Sequence, residues 1–137
     1  MSVPHIVLDS NVIISGLLFE GHPSQILKLI LQGSLVCFIS IPILDEVRDV
    51  LQRPKFKLSS EQVLTLVEEL HEVCELVTLN LSLEAVEDDP DDNRILECAL
   101  AAEVNVIISG DSDLINLKQW DKIRILTPAE FIRELDL

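Results

Sequence analysis

The chain predicts an α/β protein, a three-layer sandwich around a central parallel sheet of about five strands. Two observations carry this. Short apolar runs, typical of strands buried on both faces, alternate with stretches whose apolar residues recur every three or four positions. Across 137 residues, 48% are hydrophobic but only 4% aromatic, so the core is aliphatic and large enough for a single domain spanning 1–137.

The elements follow in order. "VPHIVL" (3–8) reads as a buried strand, followed by helical segments at about 11–19 and 24–32. "LVCFI" (35–39) is a second strand. Ser40 and Pro42 then open a helix that "RPK" (53–55) ends near Gln52. Ser59 and Gln62 form a capping box ahead of an amphipathic helix carrying Val63, Leu66, Val67, Leu70 and Val73. "LVTL" (76–79) reads as a third strand, 92–103 as a helix, "VNVIIS" (104–109) as a fourth strand and "IRIL" (123–126) as a fifth. "TPAE" (127–130) is a second capping box, with Pro128 in the first turn of the last helix.

Bulk properties narrow the function. A net charge of −14 disfavours binding to nucleic acid through charge alone, but leaves room for an enzyme that uses bound cations. No apolar run reaches the ~18 residues a membrane span needs, and the start lacks the features of a signal peptide. Cys37, Cys74 and Cys98 have no metal-ligand spacing and lie in apolar segments. They read as buried free thiols, which places the protein in a reducing cytoplasm.

In parallel sheets, sites form beyond the carboxyl ends of the strands. Asp9 directly follows the first strand; Asp111 and Asp113 follow the fourth across a Ser-Gly turn. Asp92 opens its helix on the stripe of Ile95, Cys98, Ala99 and Ala102, facing the sheet edge, and Glu46 lies beside Ile43, Val47 and Val50. Each acid has an ordinary explanation. Asp9 caps the next helix, and one of Asp91 and Asp92 caps at Pro90. Asp88 and Asp89 are solvated loop charges, Glu46 is a surface residue, and Asp113 caps the "LINL" turn. Taken together, though, they place several acids at one edge with only Arg94 nearby to pair with one of them. Carboxylates so close raise one another's pKa, and bound Mg²⁺ or Mn²⁺ relieves the repulsion. Such a cation suits phosphoryl chemistry. No GxSxG and no P-loop competes.

Four stretches, "IVLDSNVIISGLL", "PILDEV", "DPDDNRILECALAA" and "VIISGDSDLINL", resemble the PIN-domain family of the 5′-nuclease-like fold, in family order and over nearly the whole chain. They look most like the short VapC-like toxins of toxin–antitoxin pairs. The resemblance implies a metal-dependent endoribonuclease with Asp9, Glu46, Asp92 and Asp111 as its acidic quartet and Mg²⁺ or Mn²⁺ as cofactor. It also implies Asp113 as an accessory acid, Ser10 as the hydroxyl beside Asp9, and Asn11 as a brace for the Asp9 loop. RNA is then the substrate, an antitoxin the inhibitory partner and a homodimer the assembly. Arg48, Arg53, Lys55 and Lys57, at the end of the Glu46 helix, are the candidate RNA contacts, with a solvated helix end as the ordinary alternative. A haloacid-dehalogenase-like phosphatase would want a second aspartate where Asn11 stands. A receiver domain would want an acidic pair near Asp9 and a lysine after the last strand. A non-catalytic PIN fold used for protein binding is the remaining alternative.

Overall fold

His5–Leu8 forms strand β1, whose last three residues are buried. The chain then forms helices α1 (Ser10–Leu18) and α2 (His22–Leu31), strand β2 (Val36–Ser40) and helix α3 (Ile41–Leu51). A single 3₁₀ turn at Pro54–Phe56 leads to α4 (Ser60–Val73) and the short strand β3 (Glu75–Val77). The second half comprises α5 (Pro90–Ala102), β4 (Val106–Ile108), α6 (Ser112–Leu117), β5 (Gln119–Trp120), β6 (Ile123–Leu126) and α7 (Pro128–Leu135). This computed structural model describes residues 3–78 and 90–135, and the side chains of residues 90–92 fall outside the description.

The strands pair in the order β3-β2-β1-β4-β6-β5. All pairings are parallel except β5 with β6. The expected sheet of about five parallel strands is therefore six strands with one antiparallel edge. The added strand spans two residues, too few for any hydrophobic period to register. Strand order reverses after β3. Right-handed crossovers thus place α1 to α4 on one face and α5 with α6 on the other. The connections leaving β1 and β4 run in opposite directions, and this opens a crevice between their carboxyl ends.

Local signals set most boundaries. The Ser59 hydroxyl accepts from the Gln62 amide at 3.1 Å, and the Gln62 side chain accepts from the Ser59 amide at 2.8 Å. Thr127 and Glu130 make the same reciprocal pair ahead of α7. The fourth strand begins at Val106 rather than the expected residue 104 because α5 ends in a Schellman arrangement. Glu103 takes a left-handed φ of 57°, and the Val104 amide donates back to the Ala99 carbonyl. The core is aliphatic, built on Ile6, Leu8, Ile13, Ile26, Ile39 and Ile107. All three cysteines are buried and free, as expected; burial pushes the Cys98 thiol up to about 12.

Gly16 sets how closely α1 and α2 approach. A Cβ there would lie 2.6 Å from Leu27 Cδ1 and 2.9 Å from the Pro23 carbonyl oxygen. Alanine gains up to ~1 kcal/mol of helix propensity over glycine. Overpacking against a fixed carbonyl costs about 1–3 kcal/mol, so the collision outweighs that gain. Gly16→Ala should lower the urea unfolding midpoint. A raised midpoint would show that the two helices have slack.

Candidate active site at the carboxyl edge of the sheet

The described residues contain six buried polar or charged side chains: Asp9, Ser10, Ser40, Asn93, Glu97 and Ser109. Topology brings most of them to one edge. Asp9 and Ser10 follow β1, Ser40 ends β2 and Ser109 follows β4. Asn93 lies near the start of α5, the helix that crosses from the carboxyl edge at β3 back to the start of β4, and Glu97 lies one turn further, at mid-helix. Elsewhere the described core is apolar. Polar groups taken out of water are unfavourable unless paired, so this concentration marks the site.

Asp9 stands at its centre. It occupies the cap position of α1 without a side-chain capping bond of good geometry; the first-turn amides act on its carboxylate only as weaker influences, behind burial and the Ser109 hydroxyl. Its amide donates to the Ile108 carbonyl at 2.9 Å, continuing the pairing of β1 with β4. Its Oδ2 accepts from the Ser109 hydroxyl at 2.6 Å. Burial raises the Asp9 pKa above the ordinary carboxylate value and the Asp111 charge adds to the rise, while the Ser109 hydroxyl and the Asn11 and Ser10 amides pull it down.

Asp111 is half-buried. Its Oδ1 accepts from the Asp113 amide at 2.8 Å and caps α6, while its own amide donates to the Ser109 hydroxyl at 2.9 Å. The cap of this turn is therefore Asp111 and not Asp113; Asp113 contributes its backbone N–H, and its side chain is exposed. Ser109 links both acids because its single hydroxyl donates to one and accepts from the amide of the other. Glu46 is half-buried, and its Oε2 accepts from the Ser10 hydroxyl at 2.6 Å. That bond ties α3 to the first turn of α1.

Three of the four expected quartet acids thus sit on elements at this edge. The fourth, Asp92, lies in the first turn of α5, but its side chain, like Asp88 and Asp89, falls outside the described residues. The brace expected of Asn11 is a correction. Asn11 is exposed and makes no side-chain hydrogen bond to the Asp9 loop among the described residues; Ser109 and the backbone hold it instead. Asn11 lies on the outer face of α1, where Val12 and Ile13 take the buried positions. Of the basic residues, Arg48 pairs with Asp45 at 3.3 Å with both exposed, and the Lys55 ammonium lies 5.0 Å from the Phe56 ring. Arg53 and Lys57 flank the 3₁₀ turn.

Sequence reasoning missed Ser109, Asn93 and Glu97. A signal for Glu97 was present: a lone acid inside "RILECALAA" with Arg94 one turn before it. Arg94 donates to Glu97 Oε1 at 2.6 Å, so it does pair with an acid, but with one inside its own helix.

The PIN domain model matches residues 5–113. The chain belongs to the PIN-domain family. PIN-domain family members are nucleases. A search of curated proteins returns no match to the chain. Several solved structures share its PIN fold at low identity. The VapBC2 complex of Rickettsia felis, bound to a DNA fragment from its promoter, superposes with a TM-score of 0.64 at 14% identity, covering 90% of this chain and 98% of that one. FitAcB of Neisseria gonorrhoeae gives 0.55 at 15% identity, with the same two coverages of 90% and 98%. The PIN domain of T. brucei RRP44 gives 0.52 at 14% identity, covering 98% of this chain and 82% of that one.

The donor chemistry of this PIN edge fits a hard divalent cation. The atoms it offers are carboxylate and hydroxyl oxygens, and the desolvated Asp9 lies near the Asp111 charge. Among the described residues, no three acidic, histidine or cysteine side chains group closely enough to hold a metal ion by themselves.

Asp9 has a direct consequence for metal-free stability. An acid whose folded pKa is raised destabilises the fold increasingly as pH climbs from its unfolded value through its folded one; below both, the penalty is absent. In chelator near neutral pH, Asp9→Asn should therefore melt above wild type, and the difference should vanish as pH falls below the carboxylate range. Melting curves across that range test this. A mutant that melts lower at every pH would show that Asp9 acts as a structural bond acceptor.

Proposed function

We propose that the protein is a metal-dependent endoribonuclease, the toxin of a toxin–antitoxin pair, with RNA as substrate and Mg²⁺ or Mn²⁺ as cofactor. The observation that carries the reading is the Ser109-linked pair of Asp9 and Asp111 at the crevice between β1 and β4. Asp9, Asp92 and Asp111 would hold the cation, and Glu46, steadied by Ser10, would complete the acidic wall. When bound, such an ion offsets phosphate charge and lowers the pKa of its water. The residues of the chain supply the rest. Ser109 holds the Asp9 carboxylate and the Asp111 backbone through one hydroxyl. Capping α6 engages Oδ1 of Asp111 and leaves Oδ2 without a hydrogen bond among the described residues. A carboxylate at the edge would accept the proton that water gives up as its oxygen bonds to phosphorus, while one P–O ester bond breaks and the leaving ribose oxygen takes a proton from solvent.

The toxin reading draws support from fold neighbours solved as VapBC2 and FitAcB complexes. A surface on this chain is consistent with a protein partner. Leu17, Leu27, Leu31 and Val73 line a groove flanked by Glu69 and Glu72, and Leu31 is 69% exposed. Apolar lining with acidic rims suits an amphipathic, basic segment of an antitoxin. We place the protein in the cytoplasm as a homodimer; no helix among the described residues is long and apolar enough to cross a membrane.

Cleavage of end-labelled single-stranded RNA in Mn²⁺ tests the reading. Asp9→Asn and Asp92→Asn should each abolish cleavage while the fold is retained. Near-full activity in either would remove that residue from the site. Asp111→Asn should reduce the rate far more than Asp113→Asn, because Asp113 contributes its backbone, which the substitution keeps. The reverse order would exchange their roles. Wild-type protein that binds partners but never cuts RNA would favour the non-catalytic PIN fold.

A further inference from the structure

Glu97 is the least expected member of the buried polar set. Its side chain is 2% exposed on a helix whose residues 95, 96, 98 and 99 are all buried and apolar, or nearly so. A methionine there would fill similar space without desolvating a charge. Its partner is Arg94, 38% exposed, which donates from Nη1 at 2.6 Å. The other ion pairs found among the described residues, Arg48 with Asp45 and Arg124 with Glu134, are exposed on both sides. Arg94 is thus the cation fastened to a buried acid, and it lies in the second turn of α5, the helix that sets out from the carboxyl edge of the sheet where Asp9 and Asp111 follow their strands.

We propose that Glu97 is a positioning residue that fixes Arg94 as the phosphate-contacting cation of this edge. The proposal rests on the nuclease reading for its substrate class, the phosphodiester backbone of single-stranded RNA. The physical case has three parts. A chain of net charge −14 repels a polyanion, so a cation placed beside the acids lowers the barrier to approach. A guanidinium carries five N–H donors in a rigid fork, and the bond to Glu97 engages one nitrogen, so others remain for a phosphate. A short charge-assisted bond to a carboxylate that is itself held in the core restricts the arginine rotamers, so less freedom is lost when substrate arrives. Glu97 acts through Arg94 and need not touch RNA.

The test uses the whole chain and two readouts. One is binding of a fluorescently labelled single-stranded RNA in Ca²⁺, measured by anisotropy across a salt series. The other is cleavage of the same RNA in Mn²⁺. Losing one phosphate contact should flatten the slope of log affinity against log salt by about 0.7. Arg94→Gln should show that flattening, with affinity lower by about tenfold. Arg94→Lys should restore the slope without full affinity, because it returns the charge but not the fork. Glu97→Gln should keep the slope and lose affinity, since the cation remains but is no longer held. If Glu97→Gln fails to fold, the two Arg94 variants decide. Arg94→Gln with the wild-type slope and affinity overturns the proposal, leaving the pair a packing feature. Wild-type binding that depends on Arg94 without any cleavage supports the proposal while the nuclease reading fails. No wild-type binding overturns both.

Discussion

The hydrogen bond from Ser109 to Asp9 is the contact on which the site depends. It joins the ends of two neighbouring parallel strands, β1 and β4, in line with the pairing of Leu8 with Ile108. Those two strands leave the sheet in opposite directions, so the bond spans the crevice that the topology opens. The same hydroxyl accepts from the Asp111 amide and so fixes where α6 begins. One serine therefore ties the Asp9 carboxylate to the backbone from which α6 starts. The aliphatic sheet beneath it gives these atoms little room to shift, because buried branched side chains pack in few arrangements.

This edge gathers what the rest of the described interior excludes. Apolar burial stabilises the fold at roughly 25 cal/mol per Å², and polar groups without partners work against it. A structure selected for stability alone would not collect Asp9, Asn93, Glu97 and three serines in one layer. The serines offset part of the penalty: Ser10 satisfies Glu46, Ser109 satisfies Asp9, and Ser40 caps α3 by accepting from the Ile43 amide. What remains is chiefly the burial of the Asp9 charge, to which the nearby Asp111 charge adds. A divalent cation would offset both, so the strain and the proposed chemistry would share one origin.

Much of this was legible in the sequence, for identifiable reasons. Parallel strands buried on both faces give continuous apolar runs, so β1, β2 and β4 stand out. Both capping boxes read directly, because their partners are three residues apart. Asp9 and Asp111 were found by position, since the topological rule needs only the end of a strand. The residues missed are those whose role is set by tertiary contact. Ser109 looks like any turn serine until β4 lies beside β1. Glu97 reads as a helix surface charge until α5 is seen to be buried on nearly every side, which a 3.6-residue period does not reveal. The family resemblance implied Asn11 as a brace for the Asp9 loop, but Asn11 sits one residue, or 100° of helix, beyond the buried Ser10, and its side chain is exposed. Strand β5 escaped because two residues carry no period.

The central claim is that the crevice between β1 and β4 is a divalent-cation site made by Asp9 and its partners. Titration of Mn²⁺, with the free ion followed by electron paramagnetic resonance, tests it without reference to substrate or cleavage. Wild-type protein should bind Mn²⁺ saturably, and Asp9→Asn and Asp111→Asn should each lose that binding, with Asp45→Asn, an exposed acid on α3, unchanged. Equal Mn²⁺ binding by wild type and Asp9→Asn, or only weak binding that follows the net charge of −14 in every variant, would contradict it.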